Sequence, residues 1–166
     1  VNTLGGLGAG SNGPVCQGSV LQLTSSSIPG AGYVWFGPAG FVSTLQNPSI
    51  TNAQPMNTGV YTLQVNTPNC GVVSFTTSAV VGDNLNVAQA TSNSPICSGG
   101  QLQFTATAGT SYSYSWSGPN GFAATDAQPV IPNAQTTASG VYVLNVSSPG
   151  CGTLTRSTSV TVNTSP

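Results

Sequence analysis

Few side chains in this sequence can move a proton, hold a metal or attack an electrophile. There is no His, Lys or Glu, and the charged residues are Asp83, Asp126 and Arg156. General acid–base catalysis needs groups that titrate near the working pH, and the usual ones are missing. A Ser-His-Asp arrangement is impossible without histidine. Two carboxylates can flank a glycosidic bond. Here, however, Asp83 falls between the two halves of the chain and Asp126 in a loop of the second, so both read as ordinary solvated groups. No acids cluster, so no calcium site is expected. The inventory predicts a protein that is not an enzyme and carries no cofactor or metal.

The cysteines are Cys16, Cys70, Cys97 and Cys151. None forms a Cys-x-x-Cys pair and no His accompanies them, which argues against zinc. Widely spaced cysteines in a chain rich in Ser, Thr and Asn predict disulfides in an oxidising compartment. One Arg cannot neutralise a phosphate backbone or an anionic bilayer, so neither nucleic acid nor a membrane surface is an expected partner. No apolar run approaches the ~18 residues that span a bilayer, so membrane insertion is not expected. Gly5-Gly6-Leu7-Gly8-Ala9-Gly10 lacks the Lys-Ser/Thr of a phosphate loop; it reads as an edge strand or a lead-in. Asn145-Val146-Ser147 and Asn163-Thr164-Ser165 fit the N-glycosylation sequon, which makes Asn145 and Asn163 candidate acceptors.

These residues are placed by a repeat. Tyr33-Val34-Trp35-Phe36-Gly37-Pro38-Ala39-Gly40-Phe41 returns as Tyr114-Ser115-Trp116-Ser117-Gly118-Pro119-Asn120-Gly121-Phe122, and each copy holds one of two tryptophans. The same offset superposes Pro14-Val15-Cys16 on Pro95-Ile96-Cys97 and Asn52-Ala53-Gln54 on Asn133-Ala134-Gln135. It also superposes Gly59-Val60-Tyr61 on Gly140-Val141-Tyr142, and Cys70-Gly71 on Cys151-Gly152. Such self-similarity marks two copies of one unit. The expected domains are 1–82 and 83–166. The chain begins at Val1 rather than Met, as expected of a processed or partial sequence.

Within a unit the apolar period is two. Leu21 and Leu23 share a face, as do Tyr33 and Trp35, then Tyr61, Leu63 and Val65, and a last strand is expected over 73–81. Gly37-Pro38-Ala39-Gly40 reads as a turn and Thr67-Pro68-Asn69-Cys70-Gly71 as a hairpin loop. In the second unit, residues 86–91 are expected to form a first strand. Short strands between Gly/Pro turns predict an all-β fold of two tandem immunoglobulin-like β-sandwich domains. Two signature positions narrow it: a core tryptophan on the third strand (Trp35, Trp116) and a tyrosine corner (Tyr61, Tyr142). That strand position assigns both tryptophans to the core rather than to a sugar-stacking platform. Where such domains carry a core disulfide, this chain has Leu63 and Leu144 opposite Leu21 or Leu23 and Leu102 or Phe104.

The cysteines therefore sit at the ends of the sheets. The expected pairs are one per domain, Cys16 with Cys70 and Cys97 with Cys151, each tying the start of the first core strand to the last hairpin. Closing such a loop contributes about 4 kcal/mol on the chain-entropy account. Pairing across units is set aside, because it would require a folded-back arrangement.

Pro-Val/Ile-Cys, Tyr-x-Trp-x-Gly-Pro-x-Gly-Phe, Asn-Ala-Gln, Gly-Val-Tyr and Cys-Gly together resemble the Ig-like (PKD-like) repeats of large secreted bacterial surface proteins and adhesins of the Bacteroidetes type. The resemblance covers both units nearly end to end. It implies secretion to the cell surface, by the type IX route, and serial use as spacer or adhesive modules; it implies no activity.

With charged residues at 2%, copies of the chain repel each other little, and near-zero net charge favours association. The expected function is structural: a subunit or repeat segment of an extracellular filament or surface fibre. Its expected partners are further copies of itself or neighbouring repeats, joined through neutral polar surfaces and the terminal strands 1–9 and 157–163. The alternative is a module that binds surface glycans or another partner through loops 25–32 and 106–113, where Tyr112 is the single aromatic. Arg156 is expected on a strand edge, where a charge deters wrong pairing.

Overall fold

The alternation Leu21-Gln22-Leu23 builds the first core strand, because successive side chains of an extended chain face opposite ways. In a computed structural model that describes residues 8–68 and 70–165, Leu21 and Leu23 are fully buried while Gln22, on the opposite face, is only half-buried. The chain divides into Val1–Asp83 and Asn84–Pro166, one residue later than the 82/83 boundary read from the repeat.

The described strands of the first unit are β1 (Ala9–Ser11), β2 (Val15–Cys16), β3 (Leu21–Ser25), β4 (Gly32–Phe36), β5 (Val42–Ser43), β6 (Ser49–Ile50), β7 (Gly59–Thr67), β8 (Gly71–Ala79) and β9 (Val81–Gly82). One sheet has the order β1-β3-β6 and the other β5-β4-β7-β8; β2 and β9 form a short parallel pair. The second unit repeats this with β10 (Ala90–Ser92), β11 (Ile96–Cys97), β12 (Leu102–Ala106), β13 (Ser113–Gly118), β14 (Phe122–Ala124), β15 (Val130–Ile131), β16 (Gly140–Ser148), β17 (Gly152–Val160) and β18 (Val162–Asn163). Its sheets run β10-β12-β15 and β14-β13-β16-β17, with β11 parallel to β18. Each unit is thus an all-β, immunoglobulin-like sandwich.

Two elements differ from the sequence expectation. Residues 86–91 do not form one strand: Leu85–Val87 is a one-turn 3-10 helix in which the Asn84 side chain accepts from Asn86 N at 2.9 Å, and the strand begins at Ala90. A side-chain oxygen at the first position of a turn satisfies an otherwise orphaned N–H, which competes with extension. The parallel pairs β2–β9 and β11–β18 have no alternating pattern of their own. They form because the residues after Pro14 and Pro95 meet the end of the last strand.

The cores lie between the sheets. In the first unit Trp35, Tyr61, Leu63, Leu21 and Leu23 are all fully buried. In the second the matching set is Trp116, Tyr142, Leu144, Leu102 and Phe104. The substitution of Phe104 for Leu23 gives the second core an aromatic cluster, with Phe104 centroids 4.5 Å from Tyr142, 5.2 Å from Trp116 and 5.4 Å from Phe122. No described helix is long and apolar enough to cross a membrane.

The expected disulfides do not form. Cys70 and Cys97 are free and exposed, whereas Cys16 and Cys151 are disulfide-bonded. Neither unit contains a bridge of its own, so the pairs Cys16–Cys70 and Cys97–Cys151 are both wrong. The reason is strand direction. Cys16 pairs in register with Gly82, just past the end of β8, while Cys70 immediately precedes the start of β8. β8 is nine residues long, which puts the two cysteines roughly 30 Å apart at ~3.3 Å per residue. A disulfide needs Cα atoms within about 7 Å. The second unit repeats the mismatch, with Cys97 paired to Asn163 and Cys151 at the far end of β17.

Candidate functional site

The motif Trp-x-Gly-Pro-x-Gly-Phe and the distant Gly-Val-Tyr form one interlock. Gly37 lies on the face of Tyr61, so close that a Cβ there would stand 2.3 Å from the ring. Gly59, at φ +149°, lets Pro38 approach; a Cβ at that position would lie 2.7 Å from Pro38 Cγ. Phe41 meets Tyr61 edge-on, with centroids 5.6 Å apart. Tyr61 donates its hydroxyl to Asn57 O at 2.7 Å and Tyr142 donates to Ala138 O at 2.9 Å. Burial raises the pKa of both phenols. The second unit copies the contact through Gly118 and Tyr142, and through Gly140 and Pro119. Trp35 Nε1 donates to Gln46 O and Trp116 Nε1 to Asp126 O, each at 3.1 Å. Both indoles are therefore spent on the core and neither face is open to a sugar ring.

The lock closes one end of each sandwich, and the cysteines divide between the two ends. At the closed end of the first unit are Cys16, the Asn52-Ala53-Gln54 turn and β9. Gly18 N donates to Ala53 O at 2.8 Å and Ala53 N to Ser19 O at 2.9 Å, which explains the buried alanine of the motif. At the other end are the 26–31 loop and the β7–β8 hairpin. There Thr67 Oγ1 donates to Gly71 O at 2.9 Å and accepts from Cys70 N at 3.1 Å, so a buried hydroxyl fixes the turn that presents Cys70. In the second unit, Cys97 occupies the closed end and Cys151 the hairpin end, where Cys151 N donates to Ser148 O at 3.0 Å.

Beside Cys97 a shallow polar groove is lined by Ser98, Gly99, Gln135, Thr136, Thr164 and Ser165. Ser98 Oγ donates to Gln135 Oε1 at 3.1 Å and Ser165 Oγ to Ser98 O at 2.9 Å. In the sequence this groove is signalled only by small polar residues in three separate stretches.

The remaining candidates scatter. Asp126 is exposed in the second unit and Asp83 half-buried in the first, and no other acid, His or Cys gathers with either into a metal-sized cluster among the described residues. Asn163 is exposed at the closed end of the second unit. Asn145 lies mid-strand on β16, half-buried, and its Oδ1 accepts from Thr155 Oγ1 at 2.7 Å. Tyr112 donates its hydroxyl to Asn84 O at 2.5 Å and packs on the core, with Tyr114 6.2 Å away.

Arg156 lies on β17, an edge strand of its sheet, with its side chain turned inward. It stands opposite buried Leu144 on the inward side of β17, where the first unit has Phe75. Its Nε donates to Ala88 O at 3.0 Å. Of the expected terminal strands, residues 1–7 lie outside the described residues and Ala9 pairs with Ser25. Residues 157–160 pair with β16, and Val162–Asn163 with β11. The described parts of both segments thus already have a partner strand. Of the glycine run, residues 5–7 are not described and Gly10 pairs with Thr24 inside β1.

No family model matches the sequence, and no curated protein matches it. Among solved structures, murine CEACAM1b superposes with a TM-score of 0.65 at 12% identity, over 94% of this chain and 99% of that one. The N-terminal four Ig domains of Dscam1 isoform 1.9 give a TM-score of 0.65 at 17% identity, over 91% of this chain and 42% of theirs. The amphioxus IgVJ-C2 molecule gives 0.59 at 20% identity, over 89% of this chain and 99% of that one. At such identities the likeness is one of fold, tandem Ig-like domains. Nothing in it is particular to PKD-like repeats or to bacterial surface proteins.

Proposed function

We propose that this chain is a non-enzymatic structural segment of an extracellular filament or surface fibre, associating with further copies of itself through uncharged surfaces. The observation that carries the proposal is the surface chemistry. Only Asp83, Asp126 and Arg156 carry charge, and Arg156 turns inward to a backbone carbonyl. Like copies therefore meet with almost no Coulombic repulsion.

The outer face of β5-β4-β7-β8 supports this reading. Val42 is 62% exposed, Phe36 42% and Val60 61%. Phe36 sits directly opposite Val42, and Val60 lies two residues from its other neighbour, Thr62, so the three form one apolar cluster. The matching positions of the second unit are Ala123, Ser117 and Val141, so the two units present unlike faces. Disulfide-bonded Cys16 and Cys151 support an extracellular location, since cytosolic thiols are kept reduced.

The glycan-binding alternative is less well supported. Its one loop aromatic, Tyr112, is committed to Asn84 and the core, and both tryptophans are buried. Electron microscopy of the native material beside the purified chain, with the chain's mass in solution, tests the proposal. Ordered fibres with a two-domain repeat are expected. A chain that remains monomeric at high concentration, and whose native source shows no fibres, would overturn it and send the search to glycan arrays.

A further inference from the structure

The repeat gives each unit two cysteine positions, one at the closed end and one on the hairpin at the opposite end. The bonded cysteines are one of each kind: Cys16 at a closed end and Cys151 on a hairpin. The free cysteines are also one of each kind. Cys97 is the repeat equivalent of bonded Cys16, and Cys70 of bonded Cys151. Both are exposed, and each is held in a fixed local frame. Cys97 is pinned by β11 against β18, and Cys70 by the Thr67 hydroxyl. Unpaired thiols in a protein that elsewhere forms disulfides point to pairing between molecules.

We propose that Cys97 of one copy and Cys70 of the next form an intermolecular disulfide, joining chains head to tail. The proposal rests on the fibre reading above. It uses the same combination of end positions that the bonded cysteines already supply. The occupant of the polar groove beside Cys97 would be the Thr67–Gly71 hairpin of the neighbouring copy, itself short and uncharged, with nothing to repel Ser98, Gln135 or Thr164. Because a closed end meets a hairpin end, the contact is heterologous, and such contacts extend into open polymers unless a rotation closes them.

The bond requires an oxidant, which we take to be a small-molecule disulfide. One thiolate attacks it, forming a mixed disulfide and releasing one thiol. The second thiolate then attacks the protein sulfur, releasing the other thiol. Two protein thiols lose two electrons and two protons, and the small disulfide is reduced to two thiols.

The test incubates the native chain with oxidised glutathione and follows it by non-reducing electrophoresis and mass spectrometry of peptic peptides. The wild type should form a ladder of three and more chains, with a peptide joining Cys70 to Cys97. Cys70→Ser alone and Cys97→Ser alone should stay monomeric, capped by one glutathione, while their equimolar mixture should stop at the dimer. Three results would sink the proposal: glutathione capping both thiols without a ladder, either variant alone dimerising as readily as the mixture, or a Cys70–Cys97 link confined to monomers. Microscopy of the Cys70→Ser/Cys97→Ser chain separates this from the broader reading. Fibres without any wild-type ladder would remove the bridge and leave the fibre, while a ladder of disordered oligomers would do the reverse.

Discussion

Gly37 rests on the ring of Tyr61 with no room for one more carbon: a Cβ at position 37 would stand 2.3 Å from Cδ1 and 2.4 Å from Cε1. Two motifs 24 residues apart in sequence thereby become a single packed unit. Gly37→Ala should cost about 3 kcal/mol or more, at the upper end of overpacking penalties, since the ring is held by its hydroxyl. Gly40→Ala meets nothing within 4 Å and suffers only its φ of +74°, so about 1 kcal/mol is expected. Urea denaturation of the two variants checks the contrast; equal losses would mean that the ring yields.

Tyr61→Phe and Tyr142→Phe should each lose about 1 kcal/mol through the missing hydrogen bond to the turn carbonyl. Their pH dependence has a definite sign. Burial raises the folded-state pKa of both phenols above the ordinary value of 10.0. The stabilising contribution is complete below pH 10 and is lost as pH rises through the folded pKa, because the unfolded chain ionises first. Wild-type stability should therefore fall above pH 10, and the Phe variants should fall less steeply. Denaturant midpoints between pH 8 and about 12 measure this.

Thiol titration separates the observed cysteine pattern from one bridge per domain. The native chain should react at two thiols, Cys70 and Cys97, and the reduced, unfolded chain at four. Cys70→Ser and Cys97→Ser, both exposed, should leave stability within ~0.5 kcal/mol. Cys16→Ser or Cys151→Ser should cost about 2–4 kcal/mol, the usual scale for losing a disulfide.

Arg156→Ala should destabilise the second unit by about 1.5 kcal/mol, because it removes the donor to Ala88 O and the aliphatic stem opposite Leu144. Arg156→Phe restores what the first unit uses at Phe75 and should fold well. Removing the inward-pointing charge from an edge strand should nevertheless raise its tendency to aggregate. Thermal melts with light scattering read both effects.

The sandwich was legible because alternation, turn residues and an ungapped repeat all point the same way. Leu21, Leu23, Trp35, Tyr61 and Leu63 could be assigned to one interior from their period alone. The cysteines were not legible, because their pairing depends on which end of a nine-residue strand each one meets. The parallel pair Val15–Cys16 with Val81–Gly82 decides that, and two-residue strands leave no periodic trace. The inward turn of Arg156 was not legible for a related reason: it depends on the register of β17 against Leu144. The groove beside Cys97 was invisible because small polar residues look alike in loops and in contact surfaces.

The two cores are built from different parts, and this bears on how a repetitive chain avoids confusing its own halves. Tandem domains of like sequence are prone to exchange strands while folding. Here an exchanged β12 would bring the Phe104 ring into a space shaped for Leu23, a misfit costing about 1–3 kcal/mol. An exchanged β17 would set the Arg156 guanidinium in the slot that Phe75 fills. Each half thus rejects the other's strands by size and by charge, so two copies of one pattern can fold in the same chain without becoming entangled.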